Sequence, residues 1–515
     1  MLGTMLSKGY FPKEIPQAFS SESLGEIIQR NYGNLPNLFR NGGHVSIPSI
    51  HNSSRPGLLR RKLSIPNPIN MFRVSECITE NWLSIEAHVN TSSISLTTPQ
   101  FNSGLRAIDR KHSLNDLPEL SANIRSKSRY ILKADVSRFY HSIYTHSIPW
   151  ALHTKEASKL DRSPNLFGNS IDKATRDSQD QQTMGIPIGP DTSLVIAESI
   201  MTCIDNKMSE KFSLNGLRYI DDIHLGFRSL GEAEDSLSYL QELLNEFELA
   251  LNPLKTEVIE LPESFENLGI SELRSYNFRD SDNLQKSDLL HYFNLAFDFA
   301  KKYPKEPILK FAVSRLISIN VIEGNYQLFE NLILQCASAQ PDCLRYVTNH
   351  FVKYMNAGFS LDRDKISEVL NFIIDAEASS SHGNEVSSCL WAMLALGLSL
   401  QEESAGKVIP LRDPICAILL TDLNKRSLVI GNPDWSLYES YMTKNELKGD
   451  MWLFTYESLR RDWFPSVDRQ DPLSQHECFR FLRDNNCIFY DDTFVNSIEV
   501  QSPLGWSLYP GSISG

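Results

Sequence analysis

The 515-residue chain is poor in cysteine, and none of its eight (Cys77, Cys203, Cys336, Cys343, Cys389, Cys416, Cys478, Cys487) stands in a Cys-x-x-Cys pair. That scatter excludes both a disulfide framework and a zinc site, and it suits buried thiols in a reducing cytosol. Long apolar runs are missing too: no stretch approaches the roughly 18 residues a membrane helix needs. The opening MLGTMLSKGYFPKEIPQAF lacks the apolar core of a signal peptide. Positive charge is also short, with 50 Lys+Arg against 63 Asp+Glu and a net charge of −13. At 41% hydrophobic and 22% charged residues, wholesale disorder is excluded. The expectation is a cytoplasmic protein of about two to four domains with no membrane partner.

The charge is unevenly spread. Residues 1–131 carry 15 Lys+Arg against 9 Asp+Glu, residues 132–262 carry 12 against 20, and residues 263–515 carry 23 against 34. The basic surplus at the front includes Arg60, Arg61 and Lys62, then Arg125, Lys127 and Arg129. Such a patch reads as a solvated face or as a phosphate-contacting surface.

Residues 1–70 are rich in Pro, Gly, Asn and Ser and read as irregular, with one short helical pattern near Leu24–Gln29; residues 90–104 read as a second loop. YILKADV (130–136) reads as a buried strand, and the segment after it as a turn and helix. Residues 155–183, polar and acidic, read as a surface excursion. MGIPIGPDTS is a Gly/Pro turn opening a helix, and LRYIDDIHLGF is a hairpin with acidic residues at its tip. An amphipathic helix, a turn and a strand follow. This order describes an α+β unit with helices on one face of an antiparallel sheet. Beyond about residue 280, amphipathic segments recur every 20–30 residues, the first placing Leu289, Phe293, Phe297 and Ala300 on one stripe. They predict stacked helical hairpins, repeat-like in spacing but without a repeated residue signature. The aromatics of the last hundred residues read mainly as core.

Three carboxylates carry the chemistry: Asp135 at the end of a buried strand, and Asp221 and Asp222 at the hairpin tip. Aspartate among apolar residues is costly unless a cation or hydrogen-bond donors meet it. Carboxylates from two adjoining elements can hold divalent ions, and a pair of such ions serves phosphoryl transfer. A Tyr-x-Asp-Asp string alone is only suggestive, and the tail holds a near miss, IFYDD at 488–492. Order and context add the rest. Asp135-Val136-x-x-Phe139-Tyr140, then Gly185-Ile186-Pro187-Ile188-Gly189-Pro190, then Tyr219-Ile220-Asp221-Asp222, then Leu251-Asn252-x-x-Lys255-Thr256 follow one another within 122 residues.

This set resembles the palm of reverse transcriptases. FYHSIYTHSIPWALH, GIPIGPDTS and RYIDDIHLGF are similar to the bacterial abortive-infection and "unknown group" reverse transcriptases that act against phage, and IPNPINMFRVSECITENW and LRAID to the fingers of that family. The likeness covers about residues 60–270 and extends more loosely to the helical remainder. It implies a right-hand palm and fingers followed by an all-α, helical-repeat-like domain: an N-terminal extension and fingers over 1–130, a palm over 131–275 and a helical domain over 280–515.

By the same resemblance Asp135 and Asp221 are metal ligands, Val136 lends its carbonyl, and Asp222 supports the second carboxylate, with Mg2+ or Mn2+ as cofactor. Tyr140, beside Phe139, matches the steric gate against a ribose 2′-OH; its alternative is a strand-end core aromatic. Gly185, Pro187 and Gly189 would let backbone approach the nascent pair. Lys255 matches a lysine acting on departing pyrophosphate, its alternative being a solvated turn lysine. Met184 stands where the family often has Gln. Arg106 is the preferred triphosphate contact, ahead of Arg125, Lys127 and Arg129. Arg460 and Arg461, with Arg469, Arg480 and Arg483, are candidate DNA contacts or a solvated helix face. His146 reads as a structural hydrogen-bonder.

The implied function is RNA-directed DNA synthesis in antiviral defence, with dNTPs and RNA or DNA as partners, primed from a protein hydroxyl or using its template unusually. A homo-oligomer is expected. Two alternatives stay open: a retron-like enzyme with a structured non-coding RNA, and a nucleic-acid-binding scaffold that needs no polymerisation.

Overall fold

The structure is a computed structural model describing residues 1–54, 60–102 and 104–497. The end of the helical region expected over 280–515 therefore lies outside the described residues. Among the described residues are eight strands: β1 (Ser49–Ser54), β2 (Arg60–Ile65), β3 (Pro99–Phe101), β4 (Ile108–Arg110), β5 (Tyr130–Asp135), β6 (Gly216–Tyr219), β7 (Asp222–Phe227) and β8 (Glu257–Glu260). β1–β2 and β3–β4 are hairpins, and the other four form one antiparallel sheet in the order β6-β7-β5-β8.

β5 lies inside that sheet, and its consecutive residues Ile131 and Leu132 are both buried, as a strand covered on both faces must be. Helix Leu230–Glu246 packs on β5, β7 and β8 and is entered through a capping box in which Ser229 and Glu232 exchange hydrogen bonds. Helix Asp191–Lys211 is buried on nearly every side of its first four turns, so it runs through the core. The expected α+β unit is present.

Three expectations need correction. Residues 155–183 are a surface excursion only in part: helix Phe167–Asp177 buries Gly168, Ile171, Asp172, Ala174 and Thr175 against helices Pro68–Glu80 and Ser147–His153. Its small and apolar residues recur at helical spacing, hidden by polar neighbours that average the segment to hydrophilic. Residues 1–70 are not mainly irregular, for helices Leu2–Lys8 and Glu22–Asn31 pack on each other and precede the β1–β2 hairpin. Residues 90–104 contain β3.

After residue 280 the helices appear where the amphipathic pattern puts them: Asp282–Lys302, Ile308–Arg315, Tyr326–Ala339, Leu344–Asn356, Arg363–Ala378 and Gly383–Leu396. They are joined to the front of the chain. His51 Nδ1 meets Asp413 Oδ2 at 2.8 Å, the Trp452 indole donates to the Ile65 carbonyl at 3.1 Å, and Asn67 donates to the Leu447 carbonyl at 2.8 Å. Tyr490 of the near-miss motif is core, fully buried with its hydroxyl donating to Asp422 at 2.6 Å, whereas Asp491 is exposed. None of the described helices is long and apolar enough to cross a membrane.

Candidate active site

The antiparallel register places Asp135, the last residue of β5, directly opposite Asp222, the first of β7. The Asp135 carbonyl accepts from Asn252 on its other side at 2.7 Å, so the Asp135–Asp222 pair is of the non-hydrogen-bonded kind, whose side chains lie closest. Val136 bridges to Leu251 through the flanking bonds Asn252 N to Asp135 O and Ser137 N to Ala250 O. Alternation then turns the carbonyl of Val136 away from Leu251, toward the side of β5 where β7 begins.

Asp221 sits in the two-residue turn between β6 and β7 and is 2% exposed, so it is enclosed rather than an open hairpin tip. Burial, reinforced by the charges of Asp222 and Asp135, holds its carboxyl well above the usual carboxylate range. Its Oδ1 atom is buried and accepts no hydrogen bond in the structure. Lys255, 45% exposed, reaches Asp135 Oδ2 at 2.9 Å, and Asn252 donates to Asp135 Oδ1 at 2.9 Å. Three carboxylates gathered at two strand ends, one with an orphaned oxygen, form an oxygen donor set that fits a hard divalent cation.

The turn itself is strained and braced. Ile220 has φ 59°, left-handed backbone that a β-branched residue rarely adopts, at a cost of about 1–3 kcal/mol. Its N–H donates to Thr97 Oγ1 at 3.0 Å, and its carbonyl accepts from Arg218 Nη1 at 2.8 Å. Arg218 is fully buried between Glu198 (2.9 Å) and Asp205 (2.7 Å). Ser95 and Thr97 cap the Glu198 carboxylate, and Ser92 donates to Asp205 at 2.6 Å. The sequence reading missed this network. Its signal was present: Glu198 and Asp205 are seven residues apart, two turns on one face of a helix whose neighbouring residues Val195, Ile196, Ile200, Met201 and Ile204 are apolar.

Tyr140 lines a cleft of about 520 Å³ together with Tyr219, Ile220, Gly189, Arg61, Arg106 and Arg110. Phe139 is buried, with its ring 5.5 Å from that of Tyr140, and is not among the residues that line the cleft. Arg106 lines the cleft with its donors already engaged. It binds Asp191, and it donates to the carbonyls of Phe11 (2.7 Å) and Gly189 (3.2 Å), so its donors fasten the wall of the cleft. Both glycines of the turn have positive φ, but the close approaches they permit are to protein. A Cβ on Gly185 would lie 3.1 Å from the His141 carbonyl oxygen, and one on Gly189 would lie 2.5 Å from Pro12. Pro187 accepts from Ser193 through its carbonyl, while Met184, in place of the glutamine, is 52% exposed. His146 bonds Asp172 at 2.7 Å and is structural, as expected.

The basic candidates are elsewhere. Arg125, Lys127 and Arg129 precede β5 at the end opposite Asp135, roughly 20 Å away by strand rise. Arg125 is tied to Glu263 and stacked on Phe265, and Arg129 pairs with Glu260. Arg460 and Arg461 both bind the buried carboxylate of Glu457, which commits them to the interior. A separate Glu377–His382–Glu385 group lies near β1, but Glu385 is already paired with Arg60 and His382 with Glu377.

Residues 61–271 match the model of the family "Reverse transcriptase (RNA-dependent DNA polymerase)". No curated protein matches the chain. The matched span contains the whole β6-β7-β5-β8 sheet and all three carboxylates. Residues 61–271 are thus a reverse transcriptase domain, and the chain carries the RNA-directed DNA polymerase activity, a nucleotidyl transfer, that such a domain indicates.

Proposed function

We propose that the chain adds deoxynucleotides by two-metal phosphoryl transfer and serves antiphage defence of the abortive-infection kind. The observation that carries the polymerase reading is the convergence of Asp135, Asp221 and Asp222, with one Asp221 oxygen buried and unbonded. Asp135 and Asp221, with the Val136 carbonyl, would hold divalent ions, which when bound would supply Lewis-acid polarisation for phosphoryl transfer. The chain's own groups do the rest. Asn252 orients the Asp135 carboxylate, and the Arg218 network keeps the Asp221 turn rigid. Lys255, exposed and poised on Asp135, neutralises or protonates the pyrophosphate oxygen as it leaves when the new phosphodiester bond forms.

The defence role is supported by the likeness of the motifs around Tyr140, Gly185–Pro190 and Asp221 to abortive-infection enzymes. In this reading residues 1–130 are extension and fingers, residues 131–275 the palm, and the acidic, repeat-like helices from 280 onward a surface for sister subunits rather than a phosphate track. Purified full-length protein supplied with dNTPs and Mg2+ or Mn2+ should extend nucleic acid, its host should gain phage protection, and light scattering should report an oligomer. Sequencing the bound nucleic acid separates the alternatives. DNA covalently attached to protein supports the proposal, whereas a discrete structured RNA replaces it with a retron-like enzyme. Protection that persists without any synthesis leaves the scaffold reading.

A second expectation concerns the sugar. Tyr140 lines the cleft and works by bulk, so Tyr140→Ala should raise ribonucleotide use relative to deoxyribonucleotide use by roughly ten- to a hundredfold. Competition between dNTP and rNTP in single-nucleotide extension measures it. Unchanged selectivity would make Tyr140 a packing residue.

A further inference from the structure

The cleft beside Tyr140 is not built by the reverse transcriptase domain alone. Lys13 and Glu14 also line it, and they come from a strap, residues 9–17, far upstream of the matched span. The strap is fastened at several points. Asp191 N–H donates to the Gly9 carbonyl at 2.7 Å, Arg106 donates to the Phe11 carbonyl at 2.7 Å, and Pro12 is seated against Gly189. From the helical half, Arg345 donates to the Lys13 carbonyl at 3.0 Å. Lys13 thus has a backbone fixed by both halves of the molecule and a side chain exposed within the cleft.

Of the three arginines that line the cleft, Arg61, Arg106 and Arg110, the last two are already engaged with its walls. Arg106 holds Asp191 and two carbonyls, while Arg110 bonds the Tyr219 hydroxyl and lies over its ring at 5.1 Å. Lys13 has a different position. Enclosure lowers its pKa, Glu14 raises it, and Arg110, Arg106 and Arg345 lower it again. Lys13, Arg61, Arg106 and Arg110 line the cleft against Glu14, Asp109 and Asp191, a positive balance that favours an entering anion. Such an anion must lie in the same cleft as Tyr140 and Ile220, next to the carboxylate turn.

We propose that Lys13 is a further substrate-binding residue, contributed by the N-terminal strap, that contacts the triphosphate of the incoming nucleotide. The inference rests on the polymerase reading for the identity of the anion. A point charge on a flexible stem suits phosphate oxygens without demanding a fixed geometry, and the strap aims it by its backbone.

Binding is measured first, without turnover, by calorimetry of the full-length protein with inorganic tripolyphosphate and with a dNTP. Lys13→Ala should weaken both by about tenfold, and Lys13→Arg should restore most of the loss. In steady-state incorporation the same Lys13→Ala should raise KM for dNTP by a similar factor with kcat nearly unchanged. Its melting temperature should match the wild type because the side chain is exposed. Equal tripolyphosphate binding by wild type and Lys13→Ala, or no binding by either, overturns the proposal. A loss of kcat and melting temperature without a change in tripolyphosphate affinity also overturns it, and makes the strap structural. If tripolyphosphate binding depends on Lys13 but no nucleotide is ever incorporated, the anion site stands and the polymerase reading falls.

Discussion

Asp221→Asn is expected to slow deoxynucleotide incorporation by at least about a thousandfold, roughly 4 kcal/mol of transition-state stabilisation, while the protein becomes more stable. The two effects have one cause. The Asp221 carboxyl is raised first by burial and then by the charges of Asp222 and Asp135. A carboxyl whose pKa is higher folded than unfolded favours the fold when protonated, and that contribution is lost as pH rises through the folded value. At neutral pH, without a bound cation, the charge therefore costs stability, and asparagine removes the cost along with the ligand. Adding Asp222→Asn should abolish what incorporation remains. Single-nucleotide extension and thermal melting at pH 7 without divalent metal check this pair of outcomes. Wild-type incorporation by the double variant would end the polymerase assignment, and a lower melting temperature for Asp221→Asn would mean that its carboxylate is satisfied by protein.

The largest expected loss of stability belongs to Arg218→Met. Removing the guanidinium strands Glu198 and Asp205 in the interior and leaves the Ile220 carbonyl without its donor. Breaking one partner out of a buried ionic group costs about 3–5 kcal/mol, because the remaining charge is uncompensated. Converting Glu198→Gln and Asp205→Asn in the same background should recover part of that loss by removing the stranded charges. Urea unfolding of the three proteins reads the difference, and an unmoved midpoint for Arg218→Met would show that the network is not a stabilising element. Arg218→Lys retains a charge but lacks the fork that reaches two carboxylates and a carbonyl at once, so it should fall between wild type and Met.

The carboxylate site was legible because its parts are local. Asp135 ends an apolar run, Asp221 and Asp222 sit between two short apolar arms, and period-2 alternation puts them on facing strand ends. The helices after residue 280 were legible for a similar reason, their stripes being regular. The partners of the cationic residues were not legible. A guanidinium that holds Asp191 and the strap carbonyls, as Arg106 does, looks in sequence like one waiting for phosphate, and so do Arg125 and Arg461. What decides is the partner across the fold, as far away as Glu263 from Arg125. Helix Phe167–Asp177 escaped notice because only one of its faces is apolar and its length is modest. Lys13 escaped because the cleft it enters is assembled from segments that share no motif.

The seating of the N-terminal segment behind the strap is also ordered in time. Ser20 N–H donates to the Phe489 carbonyl at 3.0 Å, Asp491 N–H donates to the Ala18 carbonyl at 2.8 Å, and Phe19 pairs with Tyr490. These anchors are some 470 residues apart in the chain. At ~5–20 residues per second, a ribosome needs about half a minute to a minute and a half to make the second set after the first. Through that interval a nascent chain can complete its β6-β7-β5-β8 sheet, all three carboxylates and the fastenings of the strap to Arg106, Gly189 and Asp191, while residues 18–20 still lack their partners. The junction at residues 18–20 therefore closes only when residues 489–491 emerge and meet some of the first residues made.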